Sequence, residues 1–280
     1  MTQLKEFSTL TSEAKLGISK LEALLKHLLL PQGPGARIYQ EKHLSWLFQP
    51  AMRQQLPPLY HFFAKYCAFQ HRFSKKQVIL GDYVLMIVIG LTKFFRLRKD
   101  VQLSIAGYTV FLDLCDPRML KVPNELTKSE NSSLKFFLFE GDTFVDLGAN
   151  HGSFSIVAAQ LVSSTGLIVA IEPQPHLAKL LEESLAANVQ CKYQLCTIAC
   201  GDRNGYIDFY VPTRTSGSAG IHPAYSAIST HCKLSVPLKR FDDAVDWQHF
   251  PGHVLIKIDL SGNERYVPCF KYPKSPLICS

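Results

Sequence analysis

The chain has 280 residues, 47% of them hydrophobic, which calls for one core with an appendage or for two domains and excludes a disordered polypeptide. Its net charge of +7 is uneven: residues 1–100 carry fifteen Lys or Arg against six Asp or Glu, and residues 101–280 carry fifteen against seventeen. A basic front suits an anionic membrane, nucleic acid or an acidic partner, and equally well solvated helical faces, so it selects none of them.

In chain order, MTQLKEFSTL lacks the charged-then-apolar pattern of a secretory leader, which predicts a cytoplasmic protein with reduced thiols. The eight cysteines include no Cys-x-x-Cys pair. Cys191, Cys196 and Cys200 read as core filling, and no metal site is expected. Leucines at helical spacing predict a helix over 12–30, capped by Ser12 and ended at Pro31. Further helices are expected over 40–49, 59–72 and 76–96, so residues 1–100 form a helical N-terminal region of unassigned role. The apolar run from Tyr83 to Phe95 has about thirteen residues, short of the ~20 that span a bilayer. It predicts a buried helix, with peripheral membrane contact through 83–99 as the alternative, Lys93, Arg96, Arg98 and Lys99 meeting headgroups.

Period-two patterning over 101–114, interrupted at Gly107, predicts a hairpin. From 143 onward strands and helices alternate: strands at 143–147, 167–171 and 193–199, helices at 152–161 and 175–188. Such alternation specifies a parallel sheet, because parallel neighbours need crossover connections. The Asn204-Gly205 turn predicts that 206–211 folds back on the strand before it. A polar loop over 212–232 leads to a last strand at 253–260.

Ligands of open parallel sheets bind beyond the carboxyl ends of the strands. Those ends carry Asp146, Gly148, Asn150 and Gly152 on the first, Glu172 on the second, Asp202 on the third, and Asp259 with Glu264 on the fourth. Glu172 lies 24 residues past Gly148, where a carboxylate can accept hydrogen bonds from both ribose hydroxyls. The glycines are expected to let the backbone approach a ligand. The turn lacks Gly-x-Gly-x-x-Gly and presents an anion where a pyrophosphate would need positive potential, which disfavours a nicotinamide-dependent oxidoreductase. A carboxylate there favours a cationic, phosphate-free adenosyl donor such as S-adenosylmethionine.

VDLGANHGSFS at 145–155, AIEPQP at 170–175, ACGDRNGYIDFYV at 199–211, VPLKRFDDAV at 236–245 and LIKIDLSGNE at 255–264 together resemble the FkbM-type family of class I S-adenosylmethionine-dependent methyltransferases. FLDLCDPR at 111–118 is similar to the family's lead-in. The resemblance covers roughly 101–265, assigning residues 101–280 to one methyltransferase domain with a Rossmann-like α/β sheet. It implies that the Asp146–Gly152 turn holds the methionine end of the cofactor, Glu172 its ribose, and Asp202 or its neighbours the adenine. Lys257, Asp259 and Glu264 are then the catalytic candidates. It further implies O-methylation of a sugar or small-metabolite hydroxyl, and no nucleic acid partner is expected. A hydroxyl acceptor must lose a proton; Asp259 is the first candidate to take it, and His151 and His222 are the imidazoles expected near the mouth.

Two features depart from the family pattern. Ser261 stands where relatives carry a carboxylate, and too few residues follow Glu264 for the helix and three strands expected there. The sheet is therefore expected to be C-terminally incomplete, as in a truncated or frame-shifted product, leaving the fourth strand with an open edge. A methyltransferase-fold module with a binding or regulatory role is the alternative to an active enzyme.

Overall fold

The computed structural model describes residue 46 and residues 49–73, 81–95, 97, 100–127, 131–212, 219–221, 231–260 and 277–279. The helix expected over 12–30 and nearly all of the one over 40–49 lie outside these residues. Pro50 and Pro58 open helices α1 (Pro50–Gln54) and α2 (Pro58–Phe73). The first helical position has no use for the N–H that proline lacks, and its fixed φ already suits a helix. Helix α3 (Gly81–Phe94) follows; among the described residues no helix is long and apolar enough to cross a membrane.

Strands β1 (Asp100–Ile105) and β2 (Tyr108–Asp113) pair antiparallel as the hairpin expected from sequence. Ala106 and Gly107 at its tip have φ of 52° and 88°, the double left-handed turn that matches strand twist. Helices and hairpin share one core, in which Tyr60, Phe63 and Leu85 pack with Leu103, Leu112 and Leu114. Polar bonds add to the seam: Tyr60 Oη donates to the Leu114 carbonyl at 2.7 Å, and Ser104 N–H donates to Gln55 Oε1 at 2.7 Å. The opposite faces of these helices leave Phe62, Ile87, Phe94 and Phe95 exposed.

A 3-10 turn (Pro117–Leu120), capped by Asp116 accepting from Arg118 N–H, and helix α4 (Val122–Thr127) lead to the main sheet. Its strands are β3 (Thr143–Leu147), β4 (Leu167–Ile171), β5 (Lys192–Cys196), β9 (Val254–Ile258) and β10 (Leu277–Cys279). They run parallel in the order β10-β9-β3-β4-β5. Helix α5 (Ser153–Val162) crosses from β3 to β4, and α6 (Pro175–Asn188) from β4 to β5. The sheet is covered on both faces, which explains its near-continuous apolar strands. Phe144, Ile168, Ala170 and Leu255 join the core on one face, and Val145, Leu147, Val169, Ile171 and Ile256 join the core on the other. The hairpin docks on α6: Asn188 Oδ1 accepts from Thr109 N–H at 2.8 Å, and His176 Nε2 stands 3.1 Å from Asp113 and 3.3 Å from Asp100.

Two expectations need correction. Residues 206–211 do not fold back on β5. They lie in β7 (Gly205–Pro212), which pairs antiparallel with β8 (His231–Lys239), while β6 (Ala199–Cys200) joins β8 in parallel. The chain leaves the main sheet after Cys196, and Asn204 fixes the turn by accepting from Arg240 N–H and donating to Asp243 at 2.8 Å. The second correction concerns the edge beside β9, which is paired: Leu277, Ile278 and Cys279 align with Leu255, Ile256 and Lys257. A short tail thus closes the ladder that sequence reading left open.

Candidate active site

Beyond the carboxyl ends of β3, β4 and β9 lies a cleft of about 860 Å³, measured out to its open mouth. Gly148, Asn150, Glu172, Lys257 and Asp259 all border it. Glu172 is only 3% exposed. Its two oxygens accept from Asn150 N–H at 2.9 Å and Gln174 N–H at 3.0 Å, so the carboxylate is fixed in position at the end of β4. Burial pushes its pKa up to about 7 against the opposing pull of those two N–H groups. Asp259 is exposed at the mouth, and its N–H donates to the Leu147 carbonyl at 3.0 Å.

Asp146 is fully buried and does not border the cleft. The β3–β9 register sets it opposite Lys257, whose Nζ donates to Asp146 Oδ1 at 2.9 Å, while Ser155 Oγ donates to Oδ2 at 2.7 Å. Burial lowers the pKa of Lys257, but the Asp146 charge and hydrogen bond, with Asp259 beyond them, outweigh burial and hold it above the ordinary lysine value. The Lys257 ammonium also stands 5.2 Å over the Phe154 ring. The first-strand carboxylate therefore reaches the cleft only through a lysine that neutralises it.

The two turn glycines also differ from expectation. Both have left-handed φ, 78° at Gly148 and 77° at Gly152. A Cβ on Gly148 would collide with the carbonyl oxygen of Asp259, and one on Gly152 with Leu181 of α6. Their close approaches are to other parts of the protein, bringing the β9 end and α6 against the turn.

The Asp202 side chain is 58% exposed, lies 3.6 Å from Arg203 and does not border the cleft; its neighbours Ile198, Ala199 and Cys200 do. His151 borders the cleft but is buried, with its backbone N–H and Nδ1 both bonded to Asn150 Oδ1, at 3.0 and 2.6 Å. Burial holds its imidazole below the ordinary histidine pKa, against an opposing pull from Asp116. Glu264, Ser261 and His222 fall outside the described residues.

Sequence reasoning missed a polar group contributed from before the sheet. Arg118 Nη2 lies 2.8 Å from Glu125 Oε1, and Ser153 Oγ donates to Glu125 Oε2 at 2.6 Å; all three residues border the cleft. Arg118 closes the FLDLCDPR lead-in already noted, but nothing in its spacing announces a partner on the helix after it.

The motif set and the geometry agree with one comparison: residues 146–270 match the family model described as the methyltransferase FkbM domain. The match spans a little under half of the chain. No curated protein matches it. Among solved structures, the chain is similar to the tRNA m1G37 methyltransferase of M. jannaschii (22% identity, 38% of this chain and 32% of that one, TM-score 0.27). It is also similar to the methyltransferase FkbM of Methylobacillus flagellatus KT (16% identity, 45% and 28%, TM-score 0.28). A third is M. jannaschii TYW2, solved in complex with AdoMet (18% identity, 41% and 65%, TM-score 0.30). The chain spans about a third of the length of the first of these.

Proposed function

We propose that the FkbM-type domain binds S-adenosylmethionine in this cleft and transfers its methyl group to an oxygen of a small acceptor, a hydroxyl of a sugar or similar metabolite. The observation that carries the reading is Glu172, a buried carboxylate that borders the cleft and is pinned by two backbone N–H groups at the end of β4. Such a group is preorganised to accept from a ribose diol. The charge balance supports it as well: Glu125, Glu172 and Asp259 border the cleft, against Arg118 and a Lys257 already neutralised by Asp146. A pyrophosphate would meet an excess of carboxylate, whereas a sulfonium and an ammonium meet attraction.

When bound, S-adenosylmethionine supplies a methyl already activated for displacement. The protein's task is then alignment and exclusion of water. Glu172 orients the ribose, the Gly148–Asn150 turn lies along the donor, and Ile198 with Phe209 offers an apolar wall to the base. Asp259, the exposed carboxylate at the mouth, can receive the acceptor's hydroxyl proton. Lys257 acts one step back, keeping Asp146 neutralised so that the turn between them stays in place.

Isothermal titration with S-adenosylmethionine and S-adenosylhomocysteine tests the proposal. Wild type is expected to bind both, and Glu172→Ala to lose about 10- to 100-fold in affinity, the value of a hydrogen bond to a charged group. Absence of binding to wild type, or equal affinities for the two proteins, would refute the assignment of the cleft.

A further inference from the structure

The amino-acid end of the donor is a zwitterion, and a carboxylate taken from water into the cleft needs a cationic partner. Among the described residues, two cations border this cleft, Arg118 and Lys257. Lys257 is already engaged: its ammonium lies 2.9 Å from Asp146 and 3.4 Å from the Gly148 carbonyl. Arg118 is half engaged. Nη2 is taken by Glu125 at 2.8 Å, while Nη1 is buried and has no hydrogen-bond partner among the described residues. Nε2 of His151, on a cleft-bordering side chain that is 1% exposed, likewise has no hydrogen-bond partner among the described residues. With Asn150 Oδ1 accepting at Nδ1, this neutral ring keeps its proton on Nδ1 and leaves Nε2 as an acceptor. A buried guanidinium nitrogen without an acceptor costs free energy that a bound anion returns.

We infer that Arg118 takes the α-carboxylate of the donor and that Glu125, held by Ser153, faces its α-ammonium, so that a pair placed before the main sheet recognises the amino-acid end. This rests on reading the cleft as an S-adenosylmethionine site, and it moves recognition of that end away from the carboxylate of Asp146. Arg118 and Glu125 precede residues 146–270, the segment that matches the family model. The site thus selects ligands that carry an amino acid on the adenosyl sulfur over ligands that lack one.

The test compares S-adenosylhomocysteine with 5′-methylthioadenosine, which keeps the adenosine and the sulfur but has no amino-acid end. Both are titrated into wild type, Arg118→Met and Arg118→Lys. Wild type is expected to prefer S-adenosylhomocysteine. Arg118→Met is expected to lose about 10- to 100-fold for it while binding 5′-methylthioadenosine within about twofold of wild type, and Arg118→Lys to recover part of the loss. Unchanged S-adenosylhomocysteine affinity in Arg118→Met overturns the inference. Equal losses for both ligands overturn it too, marking Arg118 as a structural strut. If wild type binds neither ligand, the reading of the cleft falls first and this inference with it.

Discussion

The proposed role of Glu172 as the ribose-binding carboxylate gives donor binding a pH dependence of predictable sign. Its carboxyl is pushed up to about 7, first by burial, with the Gln174 and Asn150 N–H groups opposing. Near pH 8 the group is about nine-tenths ionised, and near pH 6 about one-tenth. If only the carboxylate accepts both ribose hydroxyls, affinity falls about tenfold from pH 8 to pH 6. The ligand's α-amino group titrates close to this window, so the diagnostic quantity is the difference between wild type and Glu172→Gln, titrated calorimetrically over the same range. The variant should lack Glu172's share of the slope. Stability runs the opposite way: the folded pKa is raised above the ordinary 4.5, so folding takes up a proton between the two values. That contribution is fully present below 4.5 and is lost as pH rises through about 7, on the order of 3 kcal/mol in total. Wild type should therefore gain melting temperature relative to Glu172→Gln on acidification while losing affinity. Parallel binding profiles for the two proteins would refute the reasoning.

Three further outcomes follow from the geometry. Gly148→Ala combines a left-handed φ with a collision against the Asp259 carbonyl and should cost about 2 to 5 kcal/mol, read from chemical denaturation. Lys257→Met leaves Asp146 buried with Ser155 alone and should cost about 3 to 5 kcal/mol, whereas Lys257→Met with Asp146→Leu should recover much of the loss; no recovery in the double variant would refute the pairing. Deleting 277–280 exposes the β9 edge and should produce self-association detectable by light scattering at concentrations where the full chain is monodisperse.

The central fold was legible because its signals are local. β3, β4 and α6 have the expected bounds, each being a short apolar run or an amphipathic stretch punctuated by glycine or proline. The partner of β7 was not legible. A turn such as Asn204-Gly205 says that the chain reverses, but its choice of β8 over β5 is a long-range pairing made across a polar loop. The same holds for β10: three residues near the C-terminus carry no periodicity, and only the free edge of β9 gives them a strand's role.

The site shows the same division between what a residue is and whom it meets. Glu172 could be read from sequence because its position after a strand already determines that it faces the cleft. Asp146 sits two places earlier in register, inside β3 opposite Ala170, and its carboxylate turns inward, where the parallel register of β3 and β9 sets Lys257 opposite it from 111 residues away. That register decides the electrostatics of the cleft. With Asp146 neutralised behind the wall, attraction for the proposed cationic donor must come from Glu125, Glu172 and Asp259, and among the described residues the cleft cation with an unpartnered buried nitrogen is Arg118. The charge preference inferred from a single acid ahead of a glycine thus belongs to carboxylates brought together from three separate stretches of chain, Glu125, Glu172 and Asp259. Removing Asp146 should act through stability and the placement of Lys257, while removing Glu125 or Glu172 should act on donor affinity itself.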